Sequence, residues 1–136
     1  MPAKSGHLFF KDRYFGFDDA VYASLRLLEI LSKTGKNIPE LLAGLPKTYS
    51  TPEIRVETRE ETKFQLVEAV KKELAQKHSI IDVDGVRVVF EDGWGLIRAS
   101  NTQPVLVLRF EARSPERLQE YQNLIEEVLH RIEENF

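Results

Sequence analysis

Arg98-Ala99-Ser100-Asn101-Thr102-Gln103-Pro104 sets a guanidinium, two hydroxyls and two carboxamides within six residues. Arginine offers a planar, permanently charged fork that matches a phosphate or carboxylate in bidentate fashion. Ser100, Asn101 and Thr102 add donors on a short arc, and successive backbone N–H groups in such a turn can converge on an anion. Pro104 removes a donor and stiffens the exit. The same residues are ordinary turn chemistry, so the segment reads either as an anion-binding loop or as a hairpin loop.

A second candidate is Lys4-Ser5-Gly6-His7. It combines a cation, a hydroxyl, a flexible glycine and an imidazole ahead of an aromatic stretch. His7 can act as a general acid or base, or donate to a sugar or phosphate oxygen. A lone histidine near a chain start also fits a solvated surface residue. The remaining polar residues point to simpler roles. Trp94 reads as sheet packing rather than a stacking platform, and Lys11, Asp12 and Arg13 as a solvated turn. His78 and His130 belong to helix ends or exposed helix faces. No carboxylate pair has metal-site spacing, so no metal ligand is expected in this chain. There is no Walker loop, nucleophile elbow or His-Glu-x-x-His.

The elements around the first loop position it between two strands. Trp94 to Arg98 runs in, and Val105 to Glu111 runs out. Asp92-Gly93 is a hairpin signal joining the first of these to "GVRVVFED". "EIRVET" alternates as a strand, and Ile80-Ile81 adds another short one. Glu60 to Gln76 is predicted as a helix burying Phe64, Val67, Val70 and Leu74. A final helix starts at Ser114-Pro115 with Leu118, Tyr121, Ile125, Val128, Leu129 and Ile132 inward. Upstream, Leu8 to Phe17 reads as an aromatic strand and turn. Asp18-Asp19 opens a helix from Ala20 to Lys33, which stops at Gly35. A second short helix starts near Pro39. "PKTYSTP", residues 46–52, has linker composition.

Composition limits the rest. A chain of 136 residues, 42% hydrophobic and 30% charged, buries one core, or one core with an appended subdomain. The absence of cysteine excludes a disulfide framework and a thiolate site. No secretory signal core or apolar run of membrane-spanning length occurs, so the expectation is a cytoplasmic protein without membrane partners. A net charge of -3 argues against nucleic acid as a partner, as does a sheet face expected to lack interleaved basic and aromatic residues.

"SGHLFFKDRYFGFDDAVYASLRLLEILSKTGK", "TPEIRV" and "DGVRVVFEDGWGLIRASNTQPVLVLRFEA" together resemble the C-terminal part of the α-D-phosphohexomutases, in the phosphomannomutase/phosphoglucomutase branch. The resemblance implies an α+β fold. Its C-terminal domain would be a four-stranded antiparallel sheet with two helices, similar to the TATA-binding-protein type, preceded by a strand and two helices from the end of an α/β domain. Residues 1–47 would be the tail of the third mutase domain, 48–52 a linker, and 53–136 the fourth domain. By the same resemblance, Arg98, Ser100, Asn101 and Thr102 grip the substrate phosphate, and Ser5 and His7 contact sugar hydroxyls. Pro2 and Ala3 stand where the family has Gly and Glu, so a carboxylate acceptor for the hydroxyls is missing.

The implied parent reaction interconverts hexose 1-phosphates and 6-phosphates of mannose or glucose through a phosphoserine, with Mg2+. The phosphoserine and magnesium loops belong to earlier domains, so this chain would bind substrate phosphate without being catalytic. His7 would at most be an acid/base helper. Partners would be the hexose phosphate and mutase domains one to three. The alternative is a standalone interaction module that self-associates through residues 1–47, whose apolar faces lack a covering sheet.

Overall fold

The computed structural model describes residues 6–136. Two compact units divide the chain, Met1–Leu45 and Pro46–Phe136. In the first, the aromatic stretch forms a single antiparallel bridge, Phe9 to Asp18, where a strand was expected. Side chains rather than a backbone ladder organise it: Tyr14 stacks on Tyr22 at 3.9 Å, and Phe10 meets Tyr22 edge-on. Helix α1 spans Ala20–Thr34. Asp19 caps its start by accepting from the Tyr22 N–H at 2.9 Å, and the Gly35 N–H closes its end on the Leu31 carbonyl at 3.0 Å. Helix α2, Ile38–Leu42, opens with a reciprocal cap between Asn37 and Glu40.

The second unit is one antiparallel sheet with two helices on one face. Its strands are β1 (Tyr49–Ser50), β2 (Ile54–Glu57), β3 (Ser79–Ile81), β4 (Val86–Val89), β5 (Gly93–Ala99) and β6 (Val105–Ala112). They run in the order β1, β6, β5, β4, β3, with β2 also on β6. The four longer strands match the expected sheet, and β1 and β3 extend it. Tyr49–Ser50 lies inside the expected linker, yet it pairs with Ala112 and Glu111. Both β1 and β2 lie along the same side of β6, and their register slips by one residue between Ser50↔Glu111 and Ile54↔Leu108. Pro52 sits in this bulge, where a missing donor costs least. Thr51 bridges the gap: its Oγ1 accepts from the Phe110 N–H, and its own N–H donates to the Phe110 carbonyl, both at 3.1 Å.

Helices α3 (Lys63–Leu74) and α4 (Pro115–Glu133) bury Leu66, Val67, Val70, Leu74, Tyr121, Ile125 and Leu129 against Val86, Val88, Ile97, Leu106, Leu108 and Phe110. Each fully buried side chain of this size contributes roughly 1.5–3 kcal/mol. Gly95 lets α4 come close, since a Cβ there would lie 2.4 Å from Ile125 Cδ1. The expected buried stripe of α3 is corrected at one position. Phe64 is 54% exposed, and Lys63 takes the inward place one residue earlier. Positions 63, 66, 67, 70 and 74 form the continuous helical face, and Phe64 falls outside it.

The open face of the sheet carries several arginines. Cross-strand partners put Arg55, Val107 and Arg98 in one row, and Arg109, Leu96 and Arg87 in the next. Trp94 lies on this face rather than in the core, with the Arg87 guanidinium 4.2 Å from its ring centre. Trp94 is the one aromatic that these four strands place among the arginines, and Glu57 and Glu111 share the face.

Candidate functional site

Residues 100–104 join β5 to β6, and their backbone is tied down on the inner side. The Ser100 N–H donates to the Val105 carbonyl at 3.0 Å, which closes the loop. Ser100 Oγ, in a residue only 8% exposed, accepts from the N–H groups of Thr102 (3.3 Å) and Gln103 (3.2 Å). Two of the backbone donors expected to face an anion therefore turn toward Ser100. Its hydroxyl proton remains a donor, because a hydroxyl gives one hydrogen bond while accepting two.

From below, the Pro104 carbonyl accepts from the Thr58 N–H at 3.0 Å, just after β2. The Gln103 carbonyl accepts from the Lys63 ammonium at 3.1 Å. Lys63 has no exposed surface, and its Nζ also lies 2.7 Å from Glu60 Oε1. With the backbone held inward, the side chains of Asn101, Thr102 and Gln103 stand in solvent.

Arg98 sits at the end of the open sheet face beside this loop. Its side chain is 36% exposed, and its Nη1 lies 3.5 Å from Asp84 Oδ2, so most of its donors stay uncommitted to that carboxylate. Arg55 and Arg98 are the cross-strand neighbours of Val107, which is buried although it lies on the open face. The site thus combines one part-exposed guanidinium with a loop whose backbone is tied down and whose amide and hydroxyl side chains stand in solvent, donors of the kind that suit an oxyanion.

Arg98, Ser100, Asn101 and Thr102 come together as expected from their spacing. His7 belongs to the other unit. It is exposed, and its Nδ1 contacts the Asp18 carboxylate, which orients the ring. Ser5, its expected companion, lies outside the described residues, as do Lys4, Pro2 and Ala3. Among the described residues, no three His, Cys, Asp or Glu side chains group as metal ligands, so the magnesium implied for the parent has no fitting donor set here. No helix of the described residues is long and apolar enough to cross a membrane.

Sequence reasoning missed Lys63, Glu60, Asp84 and Gly85. Lys63 did leave a signal: it stands in phase with the apolar stripe of α3, where a lysine has no reason to be unless its head finds an acceptor.

Comparison with known families decides the identity. Residues 53–128 match the family model described as phosphoglucomutase/phosphomannomutase, C-terminal domain, and residues 4–49 match the alpha/beta/alpha domain III of the same proteins. The chain belongs to the phosphoglucomutase/phosphomannomutase family. A phosphomannomutase/phosphoglucomutase of Pseudomonas putida is 47% identical over 95% of this chain and 28% of its own length. A phosphoglucomutase of Neisseria gonorrhoeae is 49% identical over 92% of this chain and 28% of its own. A crystal structure of a phosphoglucomutase/phosphomannomutase family protein from Burkholderia thailandensis superimposes with a TM-score of 0.78 at 41% identity. That match covers 94% of this chain and 27% of the other. The chain therefore spans a little over a quarter of the length of these phosphohexomutase relatives.

Proposed function

We propose that this chain is the C-terminal, phosphate-binding region of a phosphohexomutase. In this reading residues 1–47 close the third domain, 48–52 link, and 53–136 form the fourth. The loop at 98–102 holds the phosphate of a mannose or glucose phosphate that is not being transferred. Arg98 supplies charge, Asn101 and Thr102 supply outward donors, and Ser100 sets the loop's shape while offering its hydroxyl proton. Ser5 and His7 would contact sugar hydroxyls. Phosphoryl transfer through a phosphoserine, with Mg2+ neutralising charge, would belong to domains one to three, because transfer requires a donor group and charge neutralisation at the moving phosphoryl. The working compartment would be the cytoplasm.

The observation supporting this reading is the division of labour in the loop: its backbone is fixed from inside, and its side-chain donors are left free beside an accessible arginine. Titration of the 136-residue chain with inorganic phosphate and glucose 1-phosphate, followed by amide NMR, tests it. Residues 98–103 should shift, and Arg98→Ala should weaken binding at least about tenfold through loss of a charge-assisted contact. A loop unmoved at saturating ligand would sink the proposal.

A second reading, self-association through the first unit, draws on one feature. Helix α1 buries none of its residues, and Val21, Leu25 and Leu28 are 72%, 58% and 58% exposed. Sedimentation that shows a monomer at all concentrations removes it.

A further inference from the structure

Lys63 is an oddity on three physical counts. It is the first residue of α3, where a cation opposes the helix dipole. Its side chain is completely buried, which lysine rarely tolerates. It also occupies a place in the apolar stripe that any Leu or Met would fill without desolvating a charge. Folding stability alone gives no reason for an ammonium here.

The contacts supply one. Nζ donates to the carbonyl of Gln103, whose N–H is held by Ser100 Oγ on the other side of the same residue. The Val105 N–H shares that carbonyl at 2.8 Å. Gln103 is thereby fixed at both ends, and the arc bearing Asn101 and Thr102 hangs from it. Glu60, 58% exposed, balances the buried charge from the solvent side. Phe64, with its ring centre 5.2 Å from Nζ, stands over the same ammonium.

We infer that Lys63 is a positioning residue for the anion-binding loop: it fastens the Gln103 carbonyl so that the outward donors converge on the bound phosphate. This rests on the phosphate-binding reading above.

The test compares Lys63→Met with Arg98→Ala in the 136-residue chain, using inorganic phosphate as the probe. Lys63→Met should keep or gain thermal stability, because an apolar replacement removes a desolvated charge. Phosphate affinity should nevertheless fall about tenfold, and the apo amide resonances of 101–103 should move while those of β4 stay. That split between stability and affinity is what a purely structural lysine would not produce.

If Arg98→Ala binds like the wild type, the phosphate-binding reading fails. If Arg98→Ala loses binding and Lys63→Met retains it, the positioning role alone fails. Should Lys63→Met not fold, the wild type decides. Saturating phosphate must shift the Lys63 ammonium resonance and slow its proton exchange, and an indifferent ammonium overturns the inference.

Discussion

Gly85 lies directly beneath Arg98: a Cβ on Gly85 would stand 2.4 Å from Arg98 Cβ and 2.5 Å from the Ile97 carbonyl oxygen. Its φ of 78° is also one that L side chains avoid. The turn between β3 and β4 can approach the arginine closely only because nothing projects from this position.

Gly85→Ala should therefore act on the site as well as the fold. The expected cost is about 1–3 kcal/mol of stability from the strained backbone, with Arg98 displaced from Asp84. Chemical denaturation should show the loss. Phosphate titration should show weaker binding even at temperatures where the variant is fully folded.

Ser100→Ala removes the acceptor that holds two amide groups inward. Losing a buried hydroxyl of this kind costs about 1–2 kcal/mol. Hydrogen exchange at Thr102 and Gln103 should accelerate relative to amides in the middle of β6, whose bonds run to the neighbouring strands. Unchanged protection at those two amides would contradict the stapling role of Ser100.

Tyr121 gives the second unit an alkaline limit. Burial first, and then its hydrogen bond to the Asp92 carboxylate, push its phenol up to about 12. The unfolded chain releases this proton near pH 10, so the folded state binds more protons in between. Stability should be full below pH 10 and fall as the pH rises toward 12, by up to roughly 3 kcal/mol. Tyr121→Phe should flatten that part of the profile, measured by urea unfolding at a series of pH values.

Glu29 sets an acid limit for the first unit. The Arg13 guanidinium, at 2.7 and 3.1 Å, and then the Lys33 ammonium hold its carboxyl down at about 2. Because the unfolded carboxyl titrates higher, this contribution is present above pH 4.5 and disappears as the pH falls toward 2. NMR of α1 amides should report the loss, more strongly at low salt. In Glu29→Gln the acid dependence should shrink, leaving the share of Asp12 and Asp19, whose carboxyls Arg26 and Tyr14 likewise hold down.

Much of the second unit was legible because its strands and helices advertise themselves by period. The outgoing strand, the Asp92-Gly93 turn and the inward set of α4 all follow from alternation or helical spacing. The phase of α3 was not. Phe64 outranks Lys63 on hydrophobicity, and Thr62 gives no side-chain cap to mark the helix start. The inward lysine is satisfied by the Gln103 carbonyl, 40 residues away in the chain. The Tyr49–Ser50 strand was hidden for a similar reason. The surrounding residues 46–52, with Pro46, Pro52 and their hydroxyls, spell a linker, and the strand's pairing sits beside a bulge that Thr51 completes across the sheet. At the site, the donor residues were visible from composition. Which of them face solvent depended on Ser100, whose hydroxyl could have pointed either way.

The contacts that hold the loop come from Thr58 and Lys63, both more than 35 residues upstream in the chain. Neither can reach it until β6 has docked beside β2 and α3 has settled on the sheet. A nascent or partly unfolded chain contains the whole Arg98-to-Pro104 motif without the contacts that shape it, since such distant pairings form late. If the loop binds phosphate as proposed, anion affinity is accordingly a gauge of completed topology, and an excised hairpin of residues 93–112 would carry the letters of the site without its grip.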